Sequence, residues 1–344
     1  LNVNFVPSLV EQIAGVGEGK LDAWTELALR EIADLAPAER ALLLERFFSI
    51  HWGRAVLPRP RYRELLDKRG RNTPPEQLVD RVADFAVQEL RDLTVLFYLG
   101  WFGFSLRRTD PGFAALEEKG RDYTTEDLRW LIDRQRDAAL TVLDRYRRLD
   151  ERGQVELSPS PAFHPILPLV IDSDHARRAR ADLPMPANFR APQDALLHLQ
   201  RAVAEHTARF GRAPTGMWPA EGSVSPEAVK LYEQVGIKWL ITDEEILWGS
   251  LRQSGRADVP RKELYRVHRH GGVDLLFRDR DLSDRIGFRY AHDDATRAVE
   301  DLLGHVERNV DSALADDGPP VVTLALDGEN PWETYGHRGE PFLE

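Results

Sequence analysis

Two acidic residues follow directly on short apolar runs that are typical of buried strands. Glu221 closes the stretch Gly-Met-Trp-Pro-Ala-Glu at 216–221, and Asp327 follows Val-Val-Thr-Leu-Ala-Leu at 321–326. Two carboxyl groups, one protonated and one ionised, can cleave a glycosidic bond when they flank it. Position alone leaves two interpretations open for each residue, a catalytic carboxyl group or a solvated loop acid.

Other polar side chains also follow strand-like runs, where a parallel barrel collects its catalytic groups. Asp243, Arg278 and Asp279 each follow such a run, and His164 comes shortly after another. His164 is interpreted as a sugar contact or as a hydrogen-bonded structural histidine. The other three residues could bind substrate or could form an ion-pair network around the site.

A tryptophan lies near each of the two leading carboxyl groups in the sequence. Trp218 comes shortly before Glu221, and Trp332 shortly after Asp327. Aromatic side chains commonly line ligand pockets, and their flat faces suit the apolar faces of sugar rings. Both could instead be core aromatics, but their closeness to the carboxyl groups favours the wall of a sugar-binding site.

These side chains need a scaffold in which strands and helices alternate. Nearly continuous apolar runs fit strands that are buried on both faces of a parallel sheet. Helices lie between them, and one begins at Ser225 and Pro226, a helix cap followed by proline at the first helical position. The alternation predicts a parallel α/β fold. Helices are expected at 124–150, 192–210, 225–236 and 293–314.

One stretch interrupts this alternation. Residues 21–150 are nearly all helical in pattern and rich in aromatic side chains. We therefore predict a helical insertion over 21–150, packed on a catalytic barrel that is formed by 1–20 and 151–344. An exposed loop is expected over 249–262, which opens with glycine, serine and arginine in close succession.

Several of these stretches resemble the signature regions of glycoside hydrolase family 57. Met-Trp-Pro-Ala-Glu at 217–221 and Leu-Asp-Gly-Glu-Asn-Pro-Trp at 326–332 carry most of the likeness. The Asp-Gly-Glu-Asn form is more similar to the α-amylase and amylopullulanase branch than to the branching enzymes. The likeness covers nearly the whole chain. Further similar stretches lie at 1–12, 60–62, 153–157, 164–168 and 277–288.

The resemblance implies an incomplete (β/α)7 barrel, TIM-like but distorted. It also implies a retaining glycoside hydrolase that cleaves α-1,4 bonds, with α-1,6 bonds as a further option, in starch- or glycogen-like α-glucans. Glu221 would be the nucleophile that forms a covalent glucosyl–enzyme intermediate, and Asp327 the acid/base. Glu329 would be a partner of that pair or would itself be the acid. No cofactor is implied.

One family feature has no counterpart in this sequence. The opening strand of the family carries a His-x-His-Gln-Pro-like motif, whereas this chain begins in what resembles the second strand. Without that motif, an inactive carbohydrate-binding fragment stays open as an alternative. A 4-α-glucanotransferase or branching-type transglycosylase is the other alternative, because the sequence does not show how well the site excludes water. A polysaccharide deacetylase would need an Asp-His-His ligand set, which we do not find.

Composition argues against several other classes of protein. The chain has 46 Lys and Arg against 57 Asp and Glu, a net charge of −11, without a basic run, so a nucleic-acid partner is not expected. The absence of cysteine excludes disulfides and thiolate metal sites. No apolar run is long enough to span a membrane, and no signal peptide is visible, so we expect a cytoplasmic protein. The expected partner is an α-glucan, and the oligomeric state is not indicated.

Two short motifs imitate ligand sites but are better explained as loops. Asp172, Asp174 and His175 could form a metal cluster, but a second histidine at helical spacing is missing. Residues 15–20 imitate a phosphate-binding loop, but the motif is one residue short and has Leu21 where serine or threonine is required. We therefore expect neither a metal nor a nucleotide.

Overall fold

The computed structural model describes residues 1–313, 319–328 and 330–344. By its internal contacts the chain divides into two compact units, which are named here the strand unit and the helical unit. The strand unit comprises Leu1–Ala14, Thr141–Arg289 and Asp293–Asp327. The helical unit comprises Gly15–Leu140, Tyr290–His292 and Gly328–Glu344.

The described strands belong to the strand unit. They are β1 (Asn2–Phe5), β2 (Glu156–Pro159), β3 (Gly216–Met217), β4 (Trp239–Asp243), β5 (His268–His270) and β6 (Val273–Arg278). One sheet pairs β1 with β2 in parallel. The other has the order β3-β4-β6-β5, in which β5 alone runs antiparallel to its neighbour. A parallel α/β arrangement is therefore present, with one antiparallel edge strand.

The helices alternate with these strands or cluster in the helical unit. They are α1 (Pro7–Gly17), α2 (Ala23–Leu29), α3 (Pro37–Arg46), α4 (Pro60–Arg69), α5 (Leu78–Arg81), α6 (Val87–Trp101), α7 (Phe104–Thr109), α8 (Pro111–Lys119), α9 (Thr125–Glu151), α10 (Leu167–Ile171), α11 (Ala176–Ala179), α12 (Pro192–Phe210), α13 (Pro226–Gln234), α14 (Glu244–Gln253), α15 (Arg280–Asp284), α16 (Ala295–Ala313), α17 (Asn330–Thr334) and α18 (Glu340–Leu343). No helix in the described part of the chain is long and apolar enough to cross a membrane.

The predicted helices form where their boundary signals lie. Oγ of Ser225 accepts a hydrogen bond from the backbone N–H of Ala228 (3.2 Å), which caps α13 as its sequence predicts. Helix α12 ends at Gly211, whose φ of +83° is a left-handed conformation that glycine adopts freely. Helices α9 and α16 also lie within a few residues of the predicted bounds. The prediction of these four helices is confirmed.

Side chains of β1 and β2 alternate between a polar and an apolar face. Oγ of Ser158 donates to Oδ1 of Asn2 (2.8 Å), and Oγ of Ser160 donates to Oδ1 of Asn4 (3.0 Å). Because successive side chains of a strand point to opposite faces, the residues between these polar ones pack on the other side. The apolar cluster there is formed by Phe5, Leu143, Leu157 and Phe210.

The four-stranded sheet is covered by α12 and α13. Met217, Leu240 and Val273, from β3, β4 and β6, are fully buried in one cluster with the apolar faces of these helices. Gly216 lies against the ring of Trp239, and a Cβ at this glycine would be 1.8 Å from that ring. Only glycine therefore allows β3 to approach β4 this closely, which determines where the turn after β3 emerges.

The prediction of a strand over 321–326 is wrong. This segment makes one isolated parallel bridge, between Thr323 and Arg278. The backbone N–H of Val321 donates to the carbonyl of Tyr265 (2.8 Å), and that of Ala325 donates to Oγ of Ser283 (3.1 Å). The N–H of Ala325 is therefore bonded to a side chain and not to a neighbouring strand, so the hydrogen-bond ladder with β6 does not extend. The described strands form no closed sheet, and the (β/α)7 barrel stays a prediction.

Two smaller differences concern the same part of the chain. Strand β5 was not predicted, because three residues between loops carry too short a pattern. The loop predicted over 249–262 is wrong for its first residues, since α14 continues to Gln253. Leu247 and Leu251, one helical turn apart, are both buried and hold this last part of the helix in place.

The helical unit has one large apolar core. Its most deeply buried side chains come from α3, α4 and α6, and they include Leu43, Leu44, Tyr62, Leu65, Leu66, Leu90 and Leu93. Helices α2 to α8 and most of α9 lie within 21–150, so the predicted helical character of that stretch is confirmed. The division into a catalytic barrel and an insertion stays a prediction.

Candidate active site

The turn after β3 presents Glu221 in an unusual backbone conformation. Its φ and ψ are +55° and +24°, which place a residue with a side chain in the left-handed helical region. This conformation costs about 1–2 kcal/mol for such a residue. The turn is held by Gly222 N–H, which donates to the carbonyl of Pro219 (2.8 Å), and by Thr242 Oγ, which donates to the carbonyl of Gly222. The surrounding structure therefore maintains the strain.

The strained turn holds the Glu221 side chain out of the protein. The side chain is 74% exposed, and Oε1 lies 3.5 Å from Nε2 of His164. A carboxylate in this position keeps its oxygens available to a molecule that approaches from outside. The structure thus brings together two of the predicted site residues, Glu221 and the histidine that follows β2.

His164 is itself held in a strained loop. Phe163 and His164 have φ values of +62° and +55°, so two consecutive residues with side chains adopt the left-handed conformation. The backbone N–H of His164 donates to the carbonyl of Pro161 (2.8 Å), and the N–H of Ala162 donates to the carbonyl of His198 on α12 (3.2 Å). Helix α12 therefore anchors this loop, in which His164 lies close to Glu221.

Trp218 lies against the same turn. Its backbone N–H donates to the carbonyl of Pro159 in β2 (3.1 Å), and its half-buried ring approaches Gly222. A Cβ at Gly222 would be 3.4 Å from that ring. This position is compatible with a wall beside Glu221, as the sequence predicts, and its contact with a sugar stays a prediction.

Asp243 and Arg278 are neighbours at the ends of β4 and β6. The two residues are partners in the strand register, and Nε of Arg278 lies 3.5 Å from Oδ2 of Asp243. Arg280 also pairs with Asp243, while Nη2 of Arg278 donates to Oδ1 of Asp284 (2.7 Å). These contacts form the ion-pair network that the sequence left open as an alternative to direct substrate binding.

Asp279 is the most deeply buried member of this region, at 1% exposure. Tyr265 Oη donates to Oδ2 (2.8 Å), and Arg261 Nη2 donates to Oδ1 (3.1 Å). The backbone N–H of Leu282 and Nδ2 of Asn309 add bonds of 3.1 and 3.3 Å. Burial, together with the bond to Asp279, raises the pKa of Tyr265. This placement favours the structural interpretation of Asp279 over direct substrate binding.

The remaining predicted residues lie near the C-terminus. Asp327 is exposed and follows the segment that bridges β6 through Thr323. Glu329 lies outside the described residues. Trp332 belongs to the helical unit, where its ring packs on Tyr335 at 5.3 Å between centroids and on Phe342 at 6.3 Å. The roles of Asp327, Glu329 and Trp332 stay predictions.

Asp172, which was considered as part of a metal cluster, is engaged by protein groups. Oδ1 accepts hydrogen bonds from Nδ2 of Asn188 (2.8 Å) and from the backbone N–H of Asp174 (3.0 Å), and these bonds lower the pKa of the Asp172 carboxyl. Within the described ranges, no group of three or more His, Asp or Glu side chains is arranged to hold a metal.

Sequence reasoning missed several residues that build this region. Arg261 and Tyr265, which hold Asp279, are the first and last residues of a short 3-10 helix, Arg261–Tyr265, that begins within the predicted loop. Neither residue carries a local signal for that role. Phe163 was not predicted to belong to the site. Its left-handed backbone has no sequence signal, because glycine or asparagine usually marks such a position.

The chain matches the description "Glycosyl hydrolase family 57" over residues 33–344, and it belongs to this family. An α-amylase 1 of Dictyoglomus thermophilum is 26% identical over 101 residues, which is 29% of this chain and 12% of that protein. Among solved structures, an α-amylase of Thermotoga maritima has a TM-score of 0.44 and 16% identity, over 72% of this chain and 55% of that one.

A branching enzyme of family 57 from Pyrococcus horikoshii gives a TM-score of 0.46 and 15% identity, over 93% of this chain and 61% of that one. The chain therefore spans less than two thirds of the length of each of these relatives.

Proposed function

We propose that this chain carries the catalytic region of a retaining glycoside hydrolase that cleaves α-glucosidic bonds in α-glucans such as starch or glycogen. The main bond that we propose it cleaves is α-1,4, and we propose α-1,6 as a further bond. Glu221 is the nucleophile and Asp327 the acid/base. His164 and Trp218 contact the sugar beside Glu221, and the strands belong to a (β/α)7 barrel.

The observation that carries this proposal is the geometry of the turn after β3. A residue with a side chain is held at a φ of +55°, its carboxylate is exposed, and His164 lies 3.5 Å away. Such strain persists where the surroundings over-determine it, and it clusters at functional sites. Family membership adds the reaction class, and the position of Glu221 at the carboxyl end of a parallel strand fits a catalytic group.

The chemistry follows from two carboxyl groups in different protonation states. The Glu221 carboxylate attacks the anomeric carbon, while Asp327 donates its proton to the leaving glycosidic oxygen, and a glucosyl ester forms as the glycosidic bond breaks. Asp327, now ionised, removes a proton from water, whose oxygen displaces Glu221 and restores both groups. This mechanism requires the two carboxyl groups to lie about 5–5.5 Å apart.

The assignment of Asp327 rests on its sequence motif and on its place after the segment that bridges β6. If Glu329 were the acid instead, Asp327→Asn would retain activity and Glu329→Gln would lose it. Measuring both variants against the same glucan separates the two assignments.

The experiment that tests the proposal is NMR analysis of the products after incubation with amylose and with pullulan. The unaltered protein is expected to release products that are initially α-anomeric, and a Glu221→Gln variant is expected to release almost none. Longer glucans in place of shorter ones would assign transfer instead of hydrolysis. Initial release of β-anomeric products, or full activity of Glu221→Gln, would contradict the mechanism.

A further inference from the structure

The loop between β2 and α10 presents an aromatic ring to solvent, one residue before the histidine that lies near the proposed nucleophile. Phe163 is 56% exposed, although phenylalanine is usually buried. It directly precedes His164, whose Nε2 lies 3.5 Å from Glu221. Its own φ is +62°, so the backbone is held in an unfavourable conformation while the ring stays outside the core.

The ring of Phe163 is fixed from one side. The guanidinium carbon of Arg201 lies 4.5 Å from the ring centroid, and the ring of His198 meets it edge to face at 6.0 Å and 87°. Arg201 is in turn held by Glu205 on the same helix and by Glu11 at 3.6 Å. Helix α12 therefore determines the orientation of the ring, and the exposed remainder of its surface is free for another contact.

We propose that Phe163 is a stacking platform for a glucosyl unit of the bound α-glucan, next to the unit that Glu221 attacks. This inference rests on the proposed function. A pyranose ring has an apolar face of C–H groups, which an exposed and rigid aromatic face can cover while the hydroxyl groups stay hydrated. Because Phe163 and His164 are consecutive in one anchored loop, the loop that carries the platform is also the loop that approaches Glu221 through His164.

A purely structural role would leave these observations unexplained. A ring that served the core would be buried, and a loop that needed only a tight turn would use glycine, which adopts a positive φ freely. Arg201 and His198 instead support a ring whose larger part contacts no core. The same arrangement is what preorganised sugar binding requires.

The test compares Phe163→Leu, which keeps an apolar side chain without a flat face, with Phe163→Trp, which enlarges that face. Phe189→Leu is the matched control, because Phe189 is also 56% exposed in the strand unit and belongs to a different loop. Dissociation constants for maltoheptaose are measured calorimetrically in a Glu221→Gln background. The kcat and KM for the same sugar are measured with Glu221 intact.

We expect Phe163→Leu to raise Kd and KM about three- to tenfold, the range for one aromatic contact, and to leave kcat within twofold. Phe163→Trp, which keeps a flat aromatic face, should bind maltoheptaose as well as Phe163 does. Phe189→Leu should leave the Kd unchanged. An unchanged Kd in Phe163→Leu, or a loss of kcat alone, would overturn the platform. So would an equal loss in Phe189→Leu.

The two proposals fail in different ways. If the unaltered protein turns over the sugar and Phe163→Leu binds it normally, only the platform proposal is contradicted. Binding of maltoheptaose without turnover removes the proposed chemistry, and the Kd of Phe163→Leu still decides the platform. Neither binding nor turnover by the unaltered protein removes both.

Discussion

The turns after β3 and after β6 both place a carboxylate at the carboxyl end of a parallel strand, but the two carboxylates have opposite surroundings. Glu221 is 74% exposed, has a left-handed backbone, and lies 3.5 Å from one histidine. Asp279 is 1% exposed, has an extended backbone, and accepts hydrogen bonds from Tyr265, Arg261, Leu282 and Asn309.

This difference shows that the position of an acid at a strand end does not identify its role. A buried carboxylate must be paired and hydrogen-bonded, or its desolvation is not offset, so the donors around Asp279 are what stability requires. The left-handed backbone of Glu221 destabilises the fold, and the contact of its exposed side chain with His164 offsets little of that cost. The proposed role of its exposed oxygens would account for that strain, and the following predictions test the contrast between the two carboxylates.

The largest effect is expected from Glu221→Ala. Turnover of an α-glucan should fall about 10³-fold or more, because the proposed nucleophile is removed. Added azide should restore part of the rate by displacing the leaving oxygen directly, which yields a β-glucosyl azide with inversion at the anomeric carbon. NMR of the product measures this rescue. The free energy of unfolding should change by about 0.5 kcal/mol or less beyond the backbone effect of alanine.

Asp279→Asn should act on stability instead. The amide keeps the shape of the side chain but removes the charge that Arg261 and the surrounding donors face, and breaking a buried charge pair costs about 3–5 kcal/mol. Since Arg261 is itself half exposed, about 2–3 kcal/mol is expected in urea unfolding. Azide should not raise the activity of this variant.

The control for Asp279→Asn is Asp281→Asn. Asp281 lies in α15, the short helix that Asp279 caps, is 59% exposed and pairs with Arg285, so the loss of its charge should cost about 0.5 kcal/mol or less. Equal destabilisation by the two substitutions would show that burial does not distinguish these carboxylates.

The elements that carry this contrast could be predicted to different degrees. The strands β3, β4 and β6 and the helix cap at Ser225 follow from local pattern, and so does the delivery of Glu221, Asp243 and Asp279 to strand ends. Which of these acids is buried could not be predicted, because Arg261 and Tyr265 reach Asp279 through tertiary contacts that span 18 and 14 residues of the chain. Long-range contacts of this kind leave no periodic signal in the sequence.

Backbone strain was the other feature beyond sequence reasoning. The left-handed conformations of Phe163, His164 and Glu221 contradict local preference and depend on hydrogen bonds from neighbouring elements. The single bridge at Thr323 has the same origin, because Ser283 accepts the bond that a longer strand would have used. In both cases tertiary structure overrides the local pattern.

The buried side chain of His206 should make the stability of the fold depend on pH. Burial lowers the pKa of His206 on α12 to about 4, although nearby Asp150 opposes this shift. The unfolded chain binds this proton near pH 6.5, whereas the folded chain does not until about pH 4. The stability is therefore complete above pH 6.5 and falls as the pH is lowered towards 4, by about 2–3 kcal/mol.

Urea unfolding of the unaltered protein and of His206→Gln between pH 7 and pH 4 measures this contribution. The two curves should converge as the pH falls, because the variant has no such proton to bind in the unfolded state. A constant difference between them over this range would contradict the assignment.

The smallest predicted effect concerns the strain at Glu221 itself. Glu221→Gly relieves the left-handed conformation, whereas Glu221→Ala keeps it, and the relief of about 1–2 kcal/mol is partly offset by the greater freedom of glycine in the unfolded chain. The glycine variant should therefore be about 0.5–1 kcal/mol more stable than the alanine variant in urea unfolding. At Lys230, an exposed position inside α13, the order should reverse, with glycine about 1 kcal/mol less stable than alanine. The same order at both positions would mean that the turn after β3 stores no strain, and the contrast with Asp279 would then rest on exposure alone.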